Sequence, residues 1–127
     1  MNPLFWIILG SISGFLSVSI GAFGAHGLKS DLGEDFLAIF ETAARYQMYH
    51  ALAIIFLGLI MNSFQSPLFD WSGWLFILGT LLFSGSLYLL VLTGIKNFGA
   101  ITPIGGFCLL AGWVFLAIGA YKASNLN

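Results

Sequence analysis

The sequence predicts an all-α protein: an integral membrane bundle of four transmembrane helices, with an amphipathic interfacial helix before the second. Three observations lead there. Hydrophobic residues make up 59% of the 127 positions and charged residues 7%, against about 25% charged in a typical soluble domain. That is too little charge to cover a soluble surface, and the mean hydropathy is +0.98. The apolar residues fall in four runs, each close to the about 20 residues of helix that cross the hydrocarbon of a bilayer. Finally, each proline follows a good capping residue, in Asn2-Pro3, Ser66-Pro67 and Thr102-Pro103. Proline suits the first helical position because its missing N–H would be unpaired there anyway. The preceding Asn, Ser or Thr can accept a bond from the next free N–H.

The chain reads as a single transmembrane domain, with spans near 4–24, 46–64, 70–93 and 103–122. The first run carries no charge and no Lys or Arg precedes it, so it reads as a retained span and not as a signal peptide. Asp31 followed by Glu34 has capping-box spacing and marks the start of an amphipathic stretch near 32–45. On a helical wheel Glu34, Asp35, Glu41, Thr42, Arg45 and Tyr49 gather on one side, and Phe36, Leu37, Phe40, Ala43, Ala44 and Met48 on the other. Such a stretch either lies along the interface and bends into the second span, or forms the wet first half of one long helix. No proline forces the bend. The third and fourth runs follow Ser66-Pro67 and Thr102-Pro103, and the short loops near 24–30, 62–66 and 94–101 predict antiparallel neighbours.

Lipid tails give helices no hydrophobic reason to associate, so close backbone contact through small residues matters. The first span offers Gly10, Gly14, Ser17, Gly21 and Gly24; the third offers Ser72, Gly79, Ser86 and Thr93; the fourth offers Gly105, Gly112 and Gly119, with Cys108 beside them. Spacing by seven keeps such a stripe on a partner helix. The second span offers bulk instead, in Phe56, Leu57, Leu59 and Ile60.

The residues that could carry chemistry are few. His26, Glu41, Arg45, Tyr46, Tyr49 and His50 form one candidate polar cluster, because a short first loop would return His26 to the 41–50 region. Glu41 and Arg45 are four apart in the favourable order for a helix ion pair, and His26 is expected to pack near Tyr46 or His50. Ionisable groups at membrane depth are costly and point to proton or ligand handling. The competing reading places them at headgroup level, where Arg45 snorkels and the tyrosines join an aromatic belt. No cofactor or metal site is expected, since zinc wants three or four ligands and the one cysteine lies in another span. A net charge of −1 with four Lys and Arg in all speaks against nucleic acid. No P-loop, Gly-x-Ser-x-Gly, His-Glu-x-x-His or paired carboxylates in a span occur. The expectation is a non-enzymatic structural or accessory membrane component, in contact with the bilayer and with itself or another membrane protein. The alternative is a small proton, solute or lipid carrier or channel using the His26, Glu41, Arg45 and His50 cluster; a third reading is an enzyme acting on lipid.

Four segments together resemble a known family: Gly21-Ala22-Phe23-Gly24-Ala25-His26-Gly27-Leu28, Tyr46-Gln47-Met48-Tyr49-His50-Ala51-Leu52-Ala53, Leu82-Phe83-Ser84-Gly85-Ser86-Leu87-Tyr88, and Thr102-Pro103-Ile104-Gly105-Gly106. Their order and spacing are similar to the YgdD/YwdK-like small four-helix membrane proteins, domain-of-unknown-function family four-two-three. The resemblance implies a multi-pass protein of the bacterial inner membrane with a four-helix bundle. It points to His26, Tyr46 and His50 as signature positions and supplies no activity. Orientation stays open. Lys29, Arg45 and Lys96 outnumber Lys122, which favours cytoplasmic first and third loops, whereas the basic tails common among the resembling proteins imply cytoplasmic termini.

Overall fold

The computed structural model describes residues 1–126. Four helices follow one another: α1 (Pro3–Phe23), extended by a single π-helical turn over Gly24–Leu28; α2 (Glu34–Met61); α3 (Pro67–Thr93); and, after a short 3-10 segment at Lys96–Ala100, α4 (Thr102–Ser124). All four are long and apolar enough to cross a membrane. Asn2 caps α1 by accepting the Leu4 N–H at 2.9 Å, and Ser66 caps α3 by accepting the Leu68 N–H at 3.3 Å. The third proline behaves differently. Helix α4 already includes Thr102, whose hydroxyl lies 2.6 Å from that of Ser86 and so links two helices where a cap was expected.

Two further expectations about the second helix are corrected. Gly33, not Asp31, stands at the N-cap of α2 and offers no side-chain bond; Asp31 sits in the preceding turn, its N–H on the Leu28 carbonyl. The acidic Glu34 and Asp35 of the first turn suit the positive end of the helix dipole. The amphipathic stretch is not a separate interfacial helix either. It continues without a break into the second span as one helix of 28 residues, about 42 Å long at 1.5 Å per residue. The cause is packing. Phe40, Ala43 and Ala44 are buried against other helices, so this face is held by protein and does not lie on the bilayer.

The helices form two antiparallel hairpins, α1–α2 and α3–α4, joined along α2 and α3. The α3–α4 seam interlocks by sevens. Phe69, Phe76 and Phe83 of α3 lie against Gly119, Gly112 and Gly105 of α4 in antiparallel register. A Cβ on Gly112 would come within 2.7 Å of the Phe76 ring, and one on Gly105 would run into the Phe83 backbone and stand 2.7 Å from the Leu82 carbonyl carbon. Between the phenylalanines, Ser72 donates to the Gly112 carbonyl at 2.7 Å and Gly79 receives Leu109. Large faces small throughout, with the period of a coiled-coil seam.

The α1–α2 seam works alike, and the small residues on α2 were not anticipated. Gly10 faces the Ala51 carbonyl and Ile55, Gly58 faces Pro3 and Ile7, Gly14 and Gly21 rest on Ala51 and Ala44, and Gly24 takes the Phe40 ring. The bulky Phe56 and Leu59 point outward instead, at 61% and 53% exposure. Trp6 ties α1 to α3. It is fully buried against Gly73 and donates its indole N–H to Asp70 at 3.3 Å. At the one turn that needs it, Gly94 adopts a left-handed φ of 72° to end α3, a conformation that side chains disfavour.

Gly105→Ala should destabilise the fold by about 1–3 kcal/mol, the usual cost of overpacking, because its neighbour is backbone that cannot rotate away. Gly85→Ala should be neutral or up to about 1 kcal/mol stabilising from helix propensity, since nothing lies within 4 Å of that Cβ position. Thermal unfolding of the two variants in one detergent checks the difference.

Candidate functional site

Helices α2 and α4 both pack on α3 and run in the same direction, leaving a groove between them on the outer surface. The groove has a volume of about 430 Å³ and is lined by Tyr46, His50, Phe83, Pro103, Phe107 and Trp113, among others. Phe107 and Trp113 are 72% and 45% exposed, so the groove faces what surrounds the protein.

His50 is buried in the groove floor. Its Nδ1 lies 2.7 Å from the Tyr46 carbonyl, and the Trp113 indole N–H approaches its Nε2 at 3.1 Å. A carbonyl can only accept and an indole N–H can only donate. The two bonds therefore fix the neutral imidazole with its proton on Nδ1, leaving Nε2 as acceptor. Both nitrogens are occupied, and the residue clips α2 to α4. The imidazole also stacks on Tyr46 and lies 5.5 Å from the Phe76 ring.

The six residues of the anticipated cluster do not assemble. Tyr46, Tyr49 and His50 come together, with the two tyrosine rings 5.6 Å apart. His26 is exposed on the π-helical turn. That turn begins at Gly24, which rests on Phe40, and Phe40 lies ten residues, about 15 Å of helix, from His50. The first loop does not fold back across α2 because α1 continues past Phe23 and carries His26 outward with it. Glu41 and Arg45 are exposed and form no ion pair; among the described residues the one ion pair joins the Met1 amino group to Asp70 at 3.0 Å. No three metal-ligating side chains meet among the described residues.

A second polar unit went unnoticed in the sequence. Tyr88 of α3 donates to the Gln47 Oε1 of α2 at 2.7 Å, and Gln47 Nε2 reaches the Ser13 carbonyl of α1 at 3.3 Å. Ser84 and Ser17 donate to the Ala43 and Ala44 carbonyls, each at 2.7 Å. These bonds bind three helices around the first half of α2. Gln47 inside an apolar run was the available signal, because a primary amide in lipid needs partners. The Trp113 N–H carried the same signal. A cavity of about 440 Å³ near the opposite end is lined by Met1, Gln65, Ser66 and Asp70 among others, and Trp6 already engages its carboxylate.

Comparison with known proteins follows the same lines. Residues 20–106 match the family described as "Protein of unknown function (DUF423)". The chain belongs to this family. Similar proteins include a "UPF0382 membrane protein" of Staphylococcus haemolyticus strain JCSC1435, 49% identical, with 92% of this chain and 95% of that protein covered. Like-named proteins of Staphylococcus aureus strain bovine RF122 / ET3-1 and of Staphylococcus saprophyticus are each 47% identical over 92% of this chain, covering 95% and 97% of their own lengths. No solved structure matches. The family expected from the four segments is thus established, and with four apolar helices the chain is a small multi-pass membrane protein. The family match includes Tyr46, Gln47, His50 and Tyr88; Trp113 lies beyond it.

Nitrogen NMR of the His50 ring in bilayers should show Nδ1 protonated and Nε2 bare. Trp113→Phe keeps the aromatic shape and deletes one donor, so it should cost about 0.6–2 kcal/mol, the range of interhelical bonds in membranes, and shift the Nε2 resonance. An unchanged Nε2 signal would show that the bond is not formed.

Proposed function

We propose that this protein is a non-enzymatic component of the bacterial plasma membrane that works by contact, as a homo-oligomer or as an accessory subunit of a larger assembly. One observation carries this reading. The polar side chains buried within the helices hold helices together, and the groove left between α2 and α4 is lined mainly by apolar residues. Ser17, Gln47, His50, Ser72, Ser84 and Ser86 are all buried, and each bonds a residue of another helix. Thr80 Oγ1 is the buried side-chain atom without a partner among the described residues. The groove floor holds no free base, because both nitrogens of His50 are engaged. The carrier alternative draws on His26, Glu41, Arg45 and His50, and among the described residues no hydrogen bond or ion pair joins any two of them.

Two measurements on the full chain test the reading. Native mass spectrometry directly from host membranes should give a defined complex, either of copies of this chain or of fixed stoichiometry with another membrane protein. Liposomes containing the purified chain should show no more proton flux than empty ones. A monomer whose proton flux disappears in His50→Ala would overturn the proposal in favour of the carrier.

A further inference from the structure

We infer that the groove between α2 and α4 holds one acyl chain of an anionic phospholipid, with the lipid phosphate at the groove's outer end beside Arg45. The inference rests on the contact-based reading above, since it has the lipid held and not altered.

Length is the first argument. The groove follows α4 from Pro103 to Trp113, ten residues or about 15 Å at the rise of an α-helix. That is half of the about 30 Å of hydrocarbon in a bilayer, the depth of one leaflet. A transmembrane helix from another chain would cross the full thickness, whereas this groove is lined only as far as the Trp113–His50 pair. Chemistry is the second. The walls are Phe83, Phe107, Leu109, Leu110 and Trp113, and the ring nitrogens in the floor are already bonded. A saturated chain leaves no ring nitrogen there unsatisfied, and apart from Tyr46 the lining offers a polar occupant no partner.

Charge at the outer end is the third argument. Phe83 lies 5.0 Å from the Tyr46 ring and also against Gly105. It therefore sets Arg45 and Tyr46 level with the first turn of α4. Arg45 is exposed and pairs with no carboxylate among the described residues. Its long stem can carry the guanidinium toward the headgroups, and its fork suits phosphate oxygens. The adjoining start of α4 has no side-chain cap and no acidic residue in its first turn, because the Thr102 hydroxyl faces Ser86. The first turn of α4 therefore brings no negative charge to the mouth of the groove. Glu41, one turn farther out, is exposed and forms no ion pair with Arg45.

The test uses delipidated full-length protein and native mass spectrometry, with phosphatidylglycerol, phosphatidylcholine of the same acyl chains, and glycerol phosphate as probes. One phosphatidylglycerol should be retained per chain, in preference to phosphatidylcholine, and glycerol phosphate should not be retained. Arg45→Gln should weaken phosphatidylglycerol by about fivefold, the effect of one basic residue at a membrane surface, and leave phosphatidylcholine unchanged. A Cβ on Gly106, in the groove lining, meets only the Phe83 ring, at 3.8 Å, so Gly106→Phe projects a ring into the groove and should abolish both adducts. Leu110→Trp, at a position 62% exposed, serves if the first variant does not fold. Equal retention of both lipids with no effect of the groove-filling variant would overturn the inference, as would a dimer that shields Phe107 and Leu110 in place of lipid. Release of hydrolysed lipid would contradict the contact-based function, while loss of lipid binding alone would leave that function standing.

Discussion

Antiparallel interlocking of phenylalanine with glycine between α3 and α4 is the contact on which the remaining structure depends. In water this seam could be loose and still be driven shut by burial of apolar surface. In a bilayer the tails are as apolar as the side chains, so association needs closer packing than lipid itself gives. Glycine lets a ring reach the backbone of the opposite helix, and the ring fills the space that the missing side chain leaves. With Phe69, Phe76 and Phe83 committed to Gly119, Gly112 and Gly105, the register of the hairpin is fixed. A slip of one residue would bring a Cβ against the Phe69 and Phe76 rings and against the Phe83 backbone at once.

That register places the other groups. Phe76 is held between α4 and α2, so it sets the height at which His50 meets Trp113. Phe83 does the same for Tyr46 at the mouth of the groove. Helix α3 thus spaces α2 and α4 apart, and the groove is the consequence of two parallel helices resting on a third. Hydrogen bonds between membrane helices contribute modestly, about 0.6 kcal/mol on average. The set formed by Ser13, Ser17, Gln47, Ser84 and Tyr88 therefore specifies which faces meet more than it supplies the drive.

Much of this was legible in the sequence. Run length and the prolines marked the helices, and the stripes on the first, third and fourth spans lie at real seams, except Thr93, which is exposed and bonds within its own helix. What escaped is what a single chain cannot pair. The phenylalanines seven apart on α3 look like lipid-facing bulk until an antiparallel glycine stripe is set against them. On α2, Ala44, Ala51 and Gly58 also recur by sevens, yet the bulky Phe56 and Leu59 beside them dominated the pattern. The amphipathic stretch was read correctly as to its faces, but its apolar face is covered by Gly24, Ser17 and Ser84 of other helices, which no wheel reveals. The polar cluster failed for a geometric reason. It assumed that the first loop turns at Gly24, and the chain stays helical to Leu28. The partner that His50 does have, Trp113, is 63 residues away, beyond any local spacing rule.

The most direct measurement is carbon–carbon correlation by solid-state NMR on protein in bilayers, with glycine and phenylalanine labelled and the chain diluted into unlabelled copies so that only intramolecular contacts appear. The account requires cross-peaks joining Gly105 to Phe83, Gly112 to Phe76 and Gly119 to Phe69, all three in that register. Glycines of α4 that show no phenylalanine contact after dilution, or that pair with the three rings in a shifted register, would contradict it.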